Sequence, residues 1–440
     1  MKMKWIVGLV LVVVLFRGSV LAQESQAPLT LEESMKIAME RSLTLHSAGV
    51  GVLGSEFVRK QAISNFLPQW TGQYAATRYN KPAFVGFTGA QATGVPTYGR
   101  DTFSINTTVN QALYTGGFNS ATYLSAKIGV DLSKEGLETA KRDLVLQVKV
   151  GYFNILRAEK FLLVAQQQVK QFEAQLEVTK ALLDVGFVPK NDVLQAEVNL
   201  ANARQAQVTA ENNVETAKAS FNILLIREVT TPFEVVDILE YKPFPLPYEE
   251  SLEEALRRRQ EIKAAQLNID QAKENVKIAR SGFFPTISLL GGYGRVSDAP
   301  DLGLAGETKS ERWTVQTLAT FTLWNWGNTL YQVGQNKVKV TQAEDAKTQL
   351  ILSIVLEVRD DYLNMQVAEK NIRVAEVAIS QAEENLRMTE ERYKYQLATQ
   401  TDVIIAVTLL TQTKTNYYGA LSDFNVAKAQ LERAMGRMYP

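Results

Sequence analysis

Residues Leu144–Leu183 read LVLQVKVGYFNILRAEKFLLVAQQQVKQFEAQLEVTKALL, and positions 144, 148, 151, 155, 158, 162, 165, 169, 172, 176, 179 and 183 hold Leu, Val, Gly, Ile, Ala, Leu, Ala, Val, Phe, Leu, Thr and Leu. The steps alternate four and three. A mostly apolar row at 3.5 residues per turn stays on one face only if the helix winds around a neighbour as a left-handed coiled coil. Shifted by 210 residues, the row recurs as Ile354, Val358, Asp361, Met365, Ala368, Ile372, Ala375, Ile379, Ala382, Leu386, Thr389 and Tyr393. The same ungapped shift lays Tyr152 and Asn154 on Tyr362 and Asn364, Ala158-Glu159-Lys160 on Ala368-Glu369-Lys370, and Asp192-Val193 on Asp402-Val403. Heptads alone give no reason for particular residues to return at one long interval, so the chain is an internal duplication.

The duplication extends upstream. Leu29-Thr-Leu-Glu-Glu33 has the form of a capping box, with Thr30 as N-cap and Glu33 three residues on, and Ser251-Leu-Glu-Glu-Ala255 is a related opening. Each opens helical sequence that ends at a proline, Pro68 or Pro285, after which the period changes to two. Phe103, Ile105, Thr107, Val109 and Leu113 face one way and Ser104, Asn106, Thr108 and Asn110 the other; Trp313, Val315, Ala319, Phe321 and Leu323 repeat the apolar face. With their upstream partners these make two hairpins, about 69–113 and 286–324, whose long loops contain several Gly and Pro. Gly116-Gly117 and Gly291-Gly292 read as strand punctuation.

Strands of ten to twelve residues with Trp70, Tyr114, Trp324 and Trp326 towards one end fit an outer-membrane β-barrel. Four strands cannot close a barrel and open edges cannot sit in lipid, so several chains must share one. Two chains would supply eight strands and three would supply twelve; composition does not choose. Long helices at about 119–185 and 328–395 leave the hairpins, the first about 100 Å long at 1.5 Å per residue. Breaks at Gly186-Phe-Val-Pro189 and near Gln396 turn the chain into return helices at about 190–225 and 401–436. The expected organisation is therefore a first repeat over 23–229, a proline-rich connector over 230–250, and a second repeat over 251–440.

Residues 1–22 carry Lys2, Lys4, an apolar run from Trp5 to Phe16 and Val20-Leu-Ala22, the pattern of a secretory signal peptide cleaved after Ala22. Without Lys2, Lys4 and Arg17, 44 basic side chains face 47 acidic ones, which argues against a nucleic-acid partner. There is no cysteine and a single histidine, His46, so neither a disulfide framework nor a thiol nucleophile exists. The many helical carboxylates show no acid/base pair. No enzyme activity and no cofactor are expected.

The order of these features, the Phe-Leu-Pro and Phe-Phe-Pro helix ends, and Gly186 with Asp192-Val-Leu194 resemble the TolC family of outer-membrane efflux proteins. The resemblance covers essentially the whole chain. It implies an α+β membrane protein: a homotrimer with a 12-stranded β-barrel in outer-membrane lipid, four strands per chain, continued by a long periplasmic α-helical coiled-coil barrel. It further implies a periplasmic adaptor docked at the tip, an inner-membrane transporter reached through that adaptor, and a role as an exit duct for small molecules. The resemblance assigns Val185, Gly186, Phe187, Gln396 and Leu397 to the adaptor-contacting tip, and Asp192, Tyr393 and Asp402 to a tip constriction. At Gln195, Ile405 and Ala398 the chain departs from charged residues that some members carry. Alternative readings are the outer-membrane component of type I protein secretion and an exported structural coiled coil, although a structural rod has no need of hairpins.

Overall fold

The computed structural model describes residues 28–80, 83–85, 95–98, 100–302 and 310–437; the leader expected over residues 1–22 lies outside them. The first repeat runs α1 (Leu31–Arg41), α2 (Leu43–Ser64), β1 (Gln69–Arg78), a short pair β2 (Ala83–Val85) and β3 (Val95–Tyr98), β4 (Asp101–Tyr114), α3 (Phe118–Asp184) and α4 (Lys190–Leu224). The second runs α5 (Tyr248–Arg258), α6 (Gln260–Arg280), β5 (Thr286–Ser297), β6 (Ser310–Thr320), α7 (Asn328–Lys394) and α8 (Gln400–Ala434). Both ends of α3 and α4 recur 210 residues on in α7 and α8. Thr30 caps α1 in the expected box: its hydroxyl accepts from the Glu33 N–H at 3.1 Å, and its own N–H donates to the Glu33 carboxylate at 3.1 Å.

The two hairpins join into one antiparallel sheet, β1-β4-β5-β6, through the β4–β5 ladder. Register places Trp70, Tyr74, Ile105, Val109, Leu289, Tyr293, Trp313 and Val315 on one face, and Thr71, Gln73, Asn106, Thr108, Ser288, Thr314 and Gln316 on the other. One side is fit for lipid and the other for water. The ladder shifts register between Ala112 and Tyr114, bending β4 at its helix end. Strand β6 stops at Thr320, short of Phe321, Leu323 and Trp324, because its partner begins at Thr286, after Pro285, which has no N–H to extend the ladder.

Gly116 and Gly117 do more than punctuate a strand. Both are left-handed (φ +62° and +89°) and form the turn into α3, with Gly117 as N-cap. A Cβ on Gly116 would lie 2.7 Å from the Ser281 carbonyl oxygen. The equivalent pair in the second repeat is Trp326 and Gly327, also left-handed, with the Trp326 ring edge-on to Trp324 at 5.8 Å between centroids.

Below the sheet the helices form a layer in which α3 packs on α4 and α8, and α7 on α8; nearer the sheet, α2 and α6 take the flanking places against α3, with α6 also against α7. Position in that layer explains which residues are buried. Edge helix α7 buries Ile354, Val358, Met365, Ala368, Ile372, Ala375, Ala382, Leu386 and Tyr393, all on the heptad row, because it meets its neighbours along one side. The inner helix α3 also buries Tyr152, Phe153, Leu156 and Val164, off the row, because it is flanked on both sides. Where the row holds Gly151, the Phe221 ring occupies the space, 2.9 Å from where a Cβ would stand. The copies of these two positions are Asp361 and Leu431.

The main core lies where the repeats, α1 and the connector meet, around Tyr152, Phe221, Leu225, Phe233, Phe424, Leu431 and Met435. Beside it, burial and the neighbouring Glu357 carboxylate raise the Asp361 pKa from 3.8 to about 6, against the opposing Arg433. A carboxyl with a raised folded-state pKa penalises folding when ionised; the penalty is absent below about pH 4 and complete above about pH 6. Asp361→Asn is therefore expected to be the more stable chain at pH 7.5, by on the order of 2 kcal/mol, with the difference shrinking as pH falls to 5. Thermal melts of both chains at the two pH values would show it, and a difference that does not change with pH would contradict it.

All four long helices end in the same hydrogen-bonded turn, with left-handed residues Gly186, Ile226, Gln396 and Gly436. Gly436 needs its lack of a side chain, since a Cβ would stand 3.1 Å from the Arg258 backbone. Ile226 is β-branched at φ +54° and pays for that conformation in strain. Ile226→Gly is expected to raise stability by about 1 kcal/mol, read as a higher melting temperature; a lower one would show that packing of the Ile226 side chain outweighs the strain.

Candidate functional site

The end of the helical layer farthest from the sheet is made by the α3–α4 and α7–α8 turns. Helix α3 ends at Asp184 with Val185 as C-cap; the Gly186 N–H donates to the Leu183 carbonyl at 2.9 Å and the Phe187 N–H to the Leu182 carbonyl at 2.8 Å. In α7 the Gln396 N–H donates to Tyr393 at 3.0 Å and the Leu397 N–H to Arg392 at 2.8 Å. The backbone is the same in both turns, φ being +79° at Gly186 and +60° at Gln396, although only the first has the glycine. Val185, Phe187, Tyr395 and Leu397 project outward, 63–74% exposed. Among the described residues, its two chain neighbours aside, nothing lies within 4 Å of the position a Cβ on Gly186 would take. The turns thus present an apolar end with bare, unobstructed backbone at Gly186.

The two equivalent aspartates differ. The Asp402 carboxylate accepts from both the N–H and the hydroxyl of Thr399, each at 2.8 Å, closing a capping box on α8; these bonds hold its pKa below the usual value. The corresponding N-cap of α4 is Pro189, which has no N–H, so Asp192 has no such box to complete. The Asp192 charge instead acts on Tyr393, whose pKa is raised by burial first and by Asp192 as well, with the Thr179 hydrogen bond opposing. Tyr393 and Asp192 are therefore electrostatic neighbours, while Asp402 is engaged at the exposed start of α8.

Tyr393 belongs to a buried polar knot that spans three helices. The Gln175 amide donates to the Gln400 side-chain oxygen at 2.8 Å, the Thr179 hydroxyl reaches the same oxygen at 3.2 Å, and the Thr179 and Tyr393 hydroxyls lie 3.3 Å apart. All four side chains are buried, and the second amide atom of Gln400 has no partner. Around the knot pack Val169, Phe172, Leu386, Val403 and Val407. Gln175 and Gln400 were not singled out by the heptad reading. The row marks Leu176, whereas burial steps from Phe172 to Gln175 to Thr179, and only contact between α3 and α8 makes that register visible. His46 lies exposed on α2.

Among the described residues no helix is long and apolar enough to cross a membrane. The family model for outer membrane efflux proteins matches the chain twice, over residues 36–225 and 251–437, once per repeat. Outer membrane protein TolC of Vibrio cholerae is 26% identical over 307 residues, covering 68% of each chain. Outer membrane efflux protein BepC of Brucella suis is 24% identical over 434 residues, covering 98% of this chain and 90% of its own. The solved CusC structure superposes with a TM-score of 0.80 at 18% identity, covering 92% of both chains. The open-state MtrE channel of Neisseria gonorrhoeae gives a TM-score of 0.73 at 23% identity, covering 92% of this chain and 88% of its own. The doubled family match falls on the two halves that the 210-residue repeat defines, and the chain belongs to the outer membrane efflux protein family.

Proposed function

We propose that three copies of this chain form the exit duct of a tripartite efflux system, passing small molecules from a periplasmic adaptor and an inner-membrane transporter to the exterior. The protein is an outer-membrane efflux channel with a periplasmic helical extension. The observation that carries the assembly is the four-stranded sheet whose two edges are unpaired among the described residues: β1 and β6 run in opposite directions, so pairing β6 of one copy with β1 of the next continues an antiparallel barrel. Eight strands would enclose a bore that side chains fill, so three copies and twelve strands are the smallest assembly that leaves a passage. The helices supply matching edges. Leu352, Leu356, Leu363, Val367 and Val374 are exposed along α7, and Leu194, Val198 and Val208 along α4, apolar rows suited to each other across a subunit boundary.

In this reading residues 23–229 and 251–440 are pseudo-equivalent halves of the wall, and 230–250 is a belt around their junction. Val185, Gly186, Phe187, Gln396 and Leu397 dock the adaptor. Asp192 and Tyr393 border the constriction, with Asp402 stiffening the start of α8 beside them. Native mass spectrometry of detergent-extracted protein is the test of assembly: a trimer is expected, and a stable folded monomer as the main species would overturn it.

A further inference from the structure

A cavity of about 430 Å³ lies beside the main core, walled by α3, α5 and the end of α8. Its lining carries six cationic side chains, Arg142, Lys149, Arg257, Arg258, Arg433 and Arg437, against two carboxylates, Glu254 and Glu432. Most of the cations already have partners. Lys149 pairs with Glu432 at 2.6 Å, Arg258 and Arg437 share Glu254 at 2.9 and 2.7 Å, and Arg433 reaches Asp143 at 2.9 Å and Glu357 at 2.7 Å. Among the described residues Arg142 and Arg257 have no carboxylate within ion-pair distance. The Arg142 Nε is fully buried without a hydrogen-bond partner among the described residues, and a terminal nitrogen of the same side chain makes a long bond, 3.5 Å, to the Arg258 carbonyl. A buried guanidinium N–H left unpaired is costly, and because this Nε is closed off from solvent, it is the exposed terminal nitrogen of Arg142, held only by the long bond to the Arg258 carbonyl, that can meet an acceptor in the cavity.

We propose that this cavity is a binding site for a small soluble oxyanion, a phosphoryl compound of the size of a diphosphate, held by Arg142 and Arg257 with Arg258 and Lys149 at its rim. Guanidinium forks match the oxygens of a phosphoryl group, and the volume lies within the range of small-ligand pockets. Burial lowers the Arg142 pKa, and an anion beside it would oppose that shift. Geometry sets the source of the ligand. Arg142 lies 24 residues along α3 from Phe118, about 36 Å below the sheet at 1.5 Å per residue, beyond the reach of a headgroup in the bilayer that the sheet spans. The site also lies between α3 and α8, the inner pair of the helical layer, and so is not made by the α4 and α7 edges that the assembly uses. The cations repel one another when the site is empty, so an occupying anion ties α5 and the end of α8 to α3 and stiffens the junction of the two repeats.

The test is isothermal titration calorimetry on the intact detergent-solubilised protein with inorganic pyrophosphate as probe, against chloride at equal ionic strength. Pyrophosphate is expected to bind the parent and raise its melting temperature, with Arg142→Gln and Arg257→Gln each weakening binding about tenfold. Arg387→Gln, a change on the exposed face of α7 remote from the cavity, should leave binding as it is. Each variant is compared at unchanged oligomeric state by size exclusion. If Arg142→Gln alters the assembly, Arg257→Gln, at an exposed position of α5, carries the comparison. No binding beyond the chloride control, equal binding by the parent and both cavity variants, or equal weakening by Arg387→Gln would each overturn the proposal.

Discussion

Tyr152→Ala is expected to be among the most damaging single changes in the chain, costing about 3–5 kcal/mol, and Tyr152→Phe much less, about 1–2 kcal/mol. The ring is fully buried, meeting Phe221 at 6.1 Å and Phe153 at 6.5 Å between centroids. Its hydroxyl stands 3.0 Å from the Leu29 carbonyl and 2.8 Å from the Val236 carbonyl. Those carbonyls belong to the parallel bridge that pins the chain before α1 to the connector, where the Leu29 N–H donates to Glu234 at 2.8 Å. One side chain on a long helix thus anchors both ends of the first repeat. Thermal dissociation of the detergent-solubilised assembly should fall steeply for Ala and slightly for Phe. Equal falls would mean that the hydroxyl's tie to the belt, and not the ring's packing, carries the stability.

Gly186→Trp is expected to reduce export at least about tenfold while leaving the oligomer and its membrane insertion intact. Within the chain the position is open, so the direct cost is the strain of a side chain at φ +79°, about 1–2 kcal/mol at an exposed turn. In the proposed docking the indole would stand between bare backbone and the adaptor. Gln396→Gly is the companion change. The second turn already holds a side chain at φ +60°, so the glycine relieves strain and should leave the amount of folded oligomer undiminished. Cellular accumulation of a small molecule that the parent chain exports, read beside the amount of folded oligomer in the outer membrane, separates the outcomes. Normal export by Gly186→Trp would remove this turn from the docking surface, and loss of oligomer would assign the glycine to folding instead.

Much of this architecture is carried by local periods. The heptad row, its return after 210 residues, the alternation after Pro68 and Pro285 and the Thr30 capping box are each written in a few neighbouring residues, because helix, strand and cap geometry depend on what stands one to four positions away. The site was legible to the extent that a break between two long helices is legible: Gly186 marks one turn, and the 210-residue shift finds Gln396. Tertiary contacts decided the rest. The pairing of β4 with β5, the inner places of α3 and α8, the Gln175–Gln400 knot and the cationic cavity all join residues more than about 100 positions apart, and no periodicity connects them. The two aspartates show the limit most clearly. Pro189 against Thr399 is a difference the sequence itself carries, and it leaves the capping box to Asp402 alone; that the Asp192 charge acts on the buried Tyr393 of α7 is decided by tertiary packing, which no local pattern encodes.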